Sequence, residues 1–390
     1  MTNGLEKTLN LSDLILFGIS SILGSGGFNL VGNAIKDGGH QFPLMLLLSG
    51  ALFAGSANTY SYAHDTFKKN ISETLLIESV FGSIGKNISV VSILFYNIFS
   101  VATILVFSAK MLFPEGTYVG QISFALLILS MMCFSAFQRL DLNKEIINSF
   151  SIGIIALLSF VSLLGVGGLA TQNFSTPKFP VQTNLYESFL YFFFVLAGHD
   201  ALIKFSEETV TPSDLNTSMY ISIGASVLLI AGLCMAGLVW VGDFRTGDVN
   251  DIVADIFEKA LNHNTGKYIT MIAIFFMVST TFLGFLATIR YLYGIPDDMP
   301  SLEFIKLGGD GKVSNISILL VTIACALAIC INHTSSLVEL ADIGLVVILL
   351  LVAASCFIDK TKKNEFSMID GVTTGGFASV LGMVIKKHFF

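Results

Sequence analysis

Gly24-Ser25-Gly26-Gly27-Phe28 sits in the middle of a segment that otherwise reads as one membrane helix. From Leu14 to Ile35 there is no Asp, Glu, Lys or Arg, and about 20 apolar residues are enough to cross a bilayer. Three glycines and a serine at its centre predict a break in that helix. Small residues there have two readings. They can let helices pack closely, or they can open the backbone at membrane depth, which is tolerated only where it is buried in protein or lines a cavity. Interrupted spans of the second kind mark the binding sites of transporters.

The composition around this stretch sets the class. The chain has 390 residues, of which 53% are hydrophobic and 13% charged, with a mean hydropathy of +0.77. Soluble domains carry about 25% charged residues, so an all-α polytopic membrane protein is expected. The net charge of -7 says little about partners when most of the mass is in lipid. Cys133, Cys234, Cys325, Cys330 and Cys356 fall in apolar segments without paired spacing, and read as small buried hydrophobes rather than disulfides or metal ligands. No cofactor and no nucleic-acid partner are expected. The polar stretch Met1 to Leu11 argues against a cleaved signal peptide.

Charge-poor windows place spans at 12–36, 41–63, 87–111, 118–138, 146–169, 187–209, 217–242, 267–292, 313–332 and 336–358, with a weaker segment at 369–385. Residues 64–86, 243–266 and 294–312 form the longer connections, and Val249 to Leu261 reads as an amphipathic surface helix outside the core. With the N-terminus inside, thirteen Lys and Arg residues, from Lys7 to Lys363, fall on that side. Six fall on the other: Lys36, Lys110, Lys178, Arg245, Lys259 and Lys267. The positive-inside rule then predicts a cytoplasmic N-terminus, in a plasma or inner membrane.

The sixth span breaks the apolar pattern. Tyr191-Phe192-Phe193-Phe194-Val195-Leu196-Ala197-Gly198-His199-Asp200 is followed by Lys204, Glu207 and Glu208. A carboxylate in mid-span is costly and marks a functional site by default. The plainer expectation is that Asp200 pairs with Lys204, four residues along one helix face. His199 reads as an interior, hydrogen-bonded histidine. With the interrupted spans first and sixth, the predicted architecture is a five-plus-five inverted repeat. Its first half covers 12–170 and its second 187–358, with 1–11 as an N-terminal tail and 369–390 as a possible extra helix outside the ten-helix core.

At these residues the chain resembles the amino acid–polyamine–organocation transporter superfamily. The family's first helix carries G-S-G-I-F after an acidic residue; here Asp13 and Gly24-Ser25-Gly26-Gly27-Phe28 match, with Gly27 in place of isoleucine. The sixth-helix pattern, an aromatic residue, then G-x-[DE], then E-E-x-x-x-P, is met by Phe194, Gly198, Asp200, Glu207, Glu208 and Pro212. Thr288 to Tyr293 with Arg290, and Leu337 to Gly344, resemble the endings and beginnings of the eighth and tenth helices. The likeness covers roughly residues 9–358. There are departures: His199 replaces an aromatic or aliphatic residue, Asn216 stands where proline is usual, and Ile146 to Ala170 lacks the fifth-helix lysine of some proton-coupled members. The chain also has at most eleven spans where twelve are common.

Unwound backbone explains what such a site binds. Free N–H groups and a half-helix N-terminus near Gly24–Gly27 suit a carboxylate, and free carbonyls near Gly198 suit an ammonium. The resemblance implies amide contacts from Ser25, Gly26 and Gly27, and carbonyl contacts from Ile22, Phe194 and Ala197. It also implies Phe194 as an aromatic lid, with Asp200 and its neighbour His199 at the inner gate. An amino acid or polyamine is the expected substrate, carried by symport or exchange. A proton at Asp200 is one coupling ion, and sodium near Ser279 and Thr280 the other. Neither G-x-S-x-G nor H-E-x-x-H occurs, so an enzyme is not expected. The alternative is a transport-dead sensor or partner subunit on the same fold.

Overall fold

The computed structural model describes residues 5–24, 30–138, 140–171, 176–245, 251–261, 265–297, 300–307, 313–365 and 367–389. The first helix, α1 (Leu11–Leu23), starts from a capping box. Asn10 Oδ1 accepts from the Asp13 N–H at 3.1 Å, and the Asn10 N–H donates to Asp13 Oδ2 at 3.1 Å, satisfying two donors that a helix start leaves free. The helix stops at Leu23 and resumes as α2 (Val31–Gly38). The first span is therefore discontinuous.

Next come α3 (Phe42–Phe67), α4 (Ser72–Leu112), α5 (Tyr118–Ala136) and α6 (Leu140–Thr171). The helix α4 is two helices in one: Gly82 takes φ 66° and kinks it, a conformation that favours glycine. Residues 72–81, expected to be a connection, are thus helical and folded back against the bundle, with Glu73, Leu76 and Ile77 buried.

The sixth span is broken as well. The helix α7 (Leu185–Leu196) ends where Ala197 turns extended and Gly198 adopts φ 125°. From His199 to Glu208 the chain continues as a 3₁₀ helix of ten residues. Such helices seldom exceed 3–4 residues, and longer runs mark hinges or strain. The chain continues through α8 (Pro212–Trp240), α9 (Ile252–Ala260), α10 (Gly266–Gly294), α11 (Asn315–Ile331), α12 (Thr334–Lys362) and α13 (Met368–Phe389).

Among the described residues nine helical segments are long and apolar enough to cross a membrane, and α1 and α11 are shorter apolar helices. Phe134, Leu163, Leu228 and Leu327 point outward and are more than half exposed, as a surface made for lipid should be.

One expectation needs correcting. The amphipathic stretch expected outside the core at 249–261 is helical over Ile252–Ala260, and α9 buries Ile252, Val253, Ile256 and Phe257 against the bundle. Its amphipathic pattern is a packing face. The possible extra helix expected at 369–390 is present as α13, and it packs against the bundle. Phe377, Val380 and Val384 of α13 join the main hydrophobic cluster. Asp370 takes Lys360 Nζ at 2.9 Å, and the Tyr186 hydroxyl donates to the Met383 carbonyl. Its hydropathy looked weak because one face packs on α12 and α3 rather than on lipid.

The two broken spans lie side by side and antiparallel. The first half, α1, packs on the 3₁₀ segment that ends the sixth span, and α2 packs on α7 that begins it. Both breaks therefore come to the same level.

Candidate functional site

The breaks touch. The Ser21 hydroxyl donates to the Gly198 carbonyl at 2.9 Å. A Cβ on Gly198 would lie 2.6 Å from the Ser21 carbonyl oxygen, so both the close approach and the positive φ require glycine here. Of the sequence-derived contacts, Ile22, Phe194 and Ala197 line one cavity, of about 300 Å³, together with Ser21 and Gly24. Ser25, Gly26 and Gly27 lie outside the described residues. Phe194 packs edge-on against Phe193 with ring centroids 5.3 Å apart, one ring on the cavity and the other behind it.

The opposite wall comes from α4, α10 and α12. On α4, Asn97, Ser100, Val101 and Ile104 face the cavity at helical spacing. Asn97 is only 8% exposed, and among the described residues neither its Nδ2 nor Thr103 Oγ1 has a hydrogen-bond partner. On α10, Thr280 and Thr281 line the cavity, and Ser279 does not. All three hydroxyls donate to their own helix, Ser279 to Phe275 O at 2.8 Å, Thr280 and Thr281 to Met277 O at 2.8 and 2.7 Å. Gly24 abuts Thr280, so α1 and α10 do meet there. On α12, Asp342 lines the cavity. Sequence reasoning did not single it out as a site residue, because it lies near the start of a span, where an acid normally points to water.

His199 and Asp200 lie behind the cavity rather than on it. His199 is fully buried, its Nε2 2.9 Å from Ser56 Oγ, with the rings of Phe53 and Tyr60 each 5.4 Å away. Asp200 Oδ2 is 3.9 Å from Lys204 Nζ, but the shorter partner of Lys204 is Glu73, an ion pair that both residues make while almost completely buried. The expected Asp200–Lys204 pairing is thus the weaker half of a triad. Sequence alone could not show this, since Glu73 lies 131 positions away in what read as a loop. The Tyr60 and Tyr291 rings lie 5.9 and 5.6 Å from the Lys204 ammonium. One Glu73 oxygen and one Asp200 oxygen have no hydrogen-bond partner among the described residues. Two carboxylates thus share one ammonium.

Further along the same segment, Glu208 makes a two-pronged ion pair with Arg290, one contact being Nη2 to Oε1 at 3.0 Å, and the guanidinium lies 4.8 Å from the Phe205 ring centroid. The chain ahead of α1 is strapped to the end of this segment. Thr8 N and Leu9 N donate to Glu208 O at 2.9 and 3.0 Å, and Val210 N donates to Leu9 O at 2.9 Å. Asp13 is tied to α6 by Asn148 Nδ2 at 2.7 Å and Lys144 Nζ at 3.3 Å. No group of three or more His, Cys, Asp or Glu able to hold a metal occurs among the described residues. No protein-family model matches the chain, and no curated protein matches it.

Proposed function

We propose that the chain is a secondary transporter that carries a small amine-bearing solute, such as an amino acid, across a membrane by alternating access. The observation that carries this reading is the contact of the two broken spans, Ser21 on Gly198, at the wall of a cavity of about 300 Å³. That volume is at the small end of ligand sites and suits a metabolite of amino-acid size. Free backbone groups from two facing breaks are what a zwitterion needs. The five-plus-five inverted repeat belongs to this reading, and so does a cytoplasmic N-terminus. The Glu73–Lys204–Asp200 triad then closes the path on the side of the N-terminal strap.

The triad also offers a coupling site. With two buried carboxylates on one ammonium, one negative charge is left over, and a proton on either acid removes it. Tyr60, Tyr291, His199 and Tyr96 are titratable groups that face the triad. Sodium, the competing ion, would use the oxygens of Ser279 and Thr280, which remain acceptors while donating to their helix.

The test is uptake into liposomes by the purified full chain, screened with labelled amino acids and polyamines under a proton gradient alone and a sodium gradient alone. Uptake of any of them supports the reading, and no uptake under either gradient sinks it. Full proton-driven uptake by Asp200→Asn would remove Asp200 from the coupling step. Sodium-driven uptake that is lost in Thr280→Ala would move coupling to α10.

A further inference from the structure

The cavity wall away from the helix breaks holds a carboxylate with no partner among the described residues. Asp342 lies eight residues into α12, about 12 Å along the helix axis from its start, and so faces the cavity rather than bulk water. No hydrogen bond or ion pair to Asp342 occurs among the described residues. The cation that acts on it electrostatically, Lys387 of α13, is itself held by Glu187 at 2.7 Å. The other charged group acting on it is Glu339, one turn earlier on the same helix, and an acid cannot neutralise an acid. On the same wall as Asp342 stand Tyr96 and Asn97 of α4. The helices come close here, for Gly344 sits against the Ser92 carbonyl and the Tyr96 amide.

Asn97 is the second, independent observation. It is more than nine-tenths buried, it lines the same cavity, and its Nδ2 has no partner among the described residues. Leaving a buried polar group unpaired is costly, and buried ionised groups are ordinarily paired. A wall that keeps a free carboxylate and a free amide in one small cavity is complementary to a polar ligand of positive charge. Apart from Asp342, no ionisable acid or base other than Tyr96 occurs among the described residues of the lining, so nothing there would repel such a ligand.

We propose that Asp342, assisted by Asn97, binds an alkylammonium group of the substrate, on the side of the molecule away from the helix breaks. The inference rests on the transporter reading and sharpens it. The breaks would hold one end of the solute, and Asp342 the second amine of a basic amino acid or of a diamine. Both sources present the same alkylammonium. They differ in whether the far end carries a carboxylate for the first break.

The experiment is ligand-induced thermal stabilisation and calorimetric titration of the purified full chain with lysine, 1,4-diaminobutane, leucine and glutamate. It is run on wild type, Asp342→Asn and Asn97→Ala. The expected result is binding of lysine or 1,4-diaminobutane at least about tenfold tighter than leucine, the scale of a charge-assisted hydrogen bond. That preference should vanish in Asp342→Asn and weaken in Asn97→Ala. Because Asp342 gives up no partner, ligand-free Asp342→Asn should melt no lower than wild type, which separates lost recognition from lost folding. Lysine binding with diamine excluded assigns a basic amino acid, and the reverse assigns a diamine. A preference that survives in Asp342→Asn overturns the proposal, as does wild type that binds leucine tightly and no cation; both leave the transporter reading standing. Wild type that binds none of the four overturns the proposal and leaves the transporter reading to the uptake screen.

Discussion

Two neighbouring regions of this protein treat buried charge in opposite ways. Around the 3₁₀ segment, Lys204 has Glu73, Arg290 has Glu208, and their aliphatic and aromatic surroundings exclude water. In the cavity next to it, Asp342, Asn97 and Thr103 have polar atoms without a partner among the described residues. Charges that are paired hold one conformation, because removing either partner strands the other in low dielectric. Polar groups left free lower stability and gain it back when a ligand arrives. On the proposed function, the first region acts as a latch and the second as a receptor. Mutations in the first should therefore appear in the stability of the empty protein, and mutations in the second only in its response to ligand.

The sharpest way to break that division is Lys204→Met, which leaves Glu73 and Asp200 buried as like charges. A loss of about 3–5 kcal/mol is expected, read as a large fall in melting temperature in detergent. Adding Glu73→Gln and Asp200→Asn should restore most of it. A single mutant as stable as wild type would show that the triad is not a latch. Gly198→Ala, on the boundary between the regions, is expected to affect both. Its φ of 125° is close to glycine-only, and forcing a side chain there costs about 1–3 kcal/mol, with the new Cβ driven into the Ser21 carbonyl. Lower melting temperature together with lost uptake is the expected pair of results, and normal uptake would separate the break from function.

Phe194→Ala belongs to the receptor side. It should weaken substrate binding by roughly tenfold, about 1.4 kcal/mol, with little change in the empty protein's melting temperature. A fall in melting temperature without a change in affinity would make Phe194 a packing residue. The smallest effect comes from outside both regions, at the start of α9. Asp251 caps that helix through the Ala254 N–H at 3.1 Å and takes the Thr270 hydroxyl at 2.7 Å. Burial pushes its carboxyl above the usual range despite those bonds. A raised value means that the folded state favours the protonated form, so this contribution is full at low pH and declines as pH rises through the folded value. Asp251→Ala should cost about 1 kcal/mol. Asp251→Asn, which keeps the cap without the charge, should be near neutral and should flatten that part of the pH profile of melting.

The spans were legible because hydropathy acts locally, and the two breaks because Gly24 opens a glycine-rich run and Gly198 precedes the polar pair His199-Asp200; a lone glycine does not suffice, for Gly153 and Gly232 sit inside unbroken helices. What surrounds the breaks was not legible. Glu73 reads as a solvated loop charge until α4 folds back at Gly82 and brings it to Lys204. Asp342 reads as an acid near the wet end of a span until α4 covers that end. The α13 segment reads as marginal because hydropathy assumes lipid on every side, and one side of it is protein. In each case the deciding partner is distant in the chain, and no window along the sequence contains both.

The strap ahead of α1 has a measurable consequence. Any conformer in which α1 and the 3₁₀ segment part on that side must break the backbone bonds from Leu9 N to Glu208 O and from Val210 N to Leu9 O. Those two amides are then clocks: hydrogen–deuterium exchange at Leu9 and Val210 proceeds only as often as the strap lets go. Their protection counts the opening events of the resting protein directly, with no substrate, gradient or label on the transported molecule.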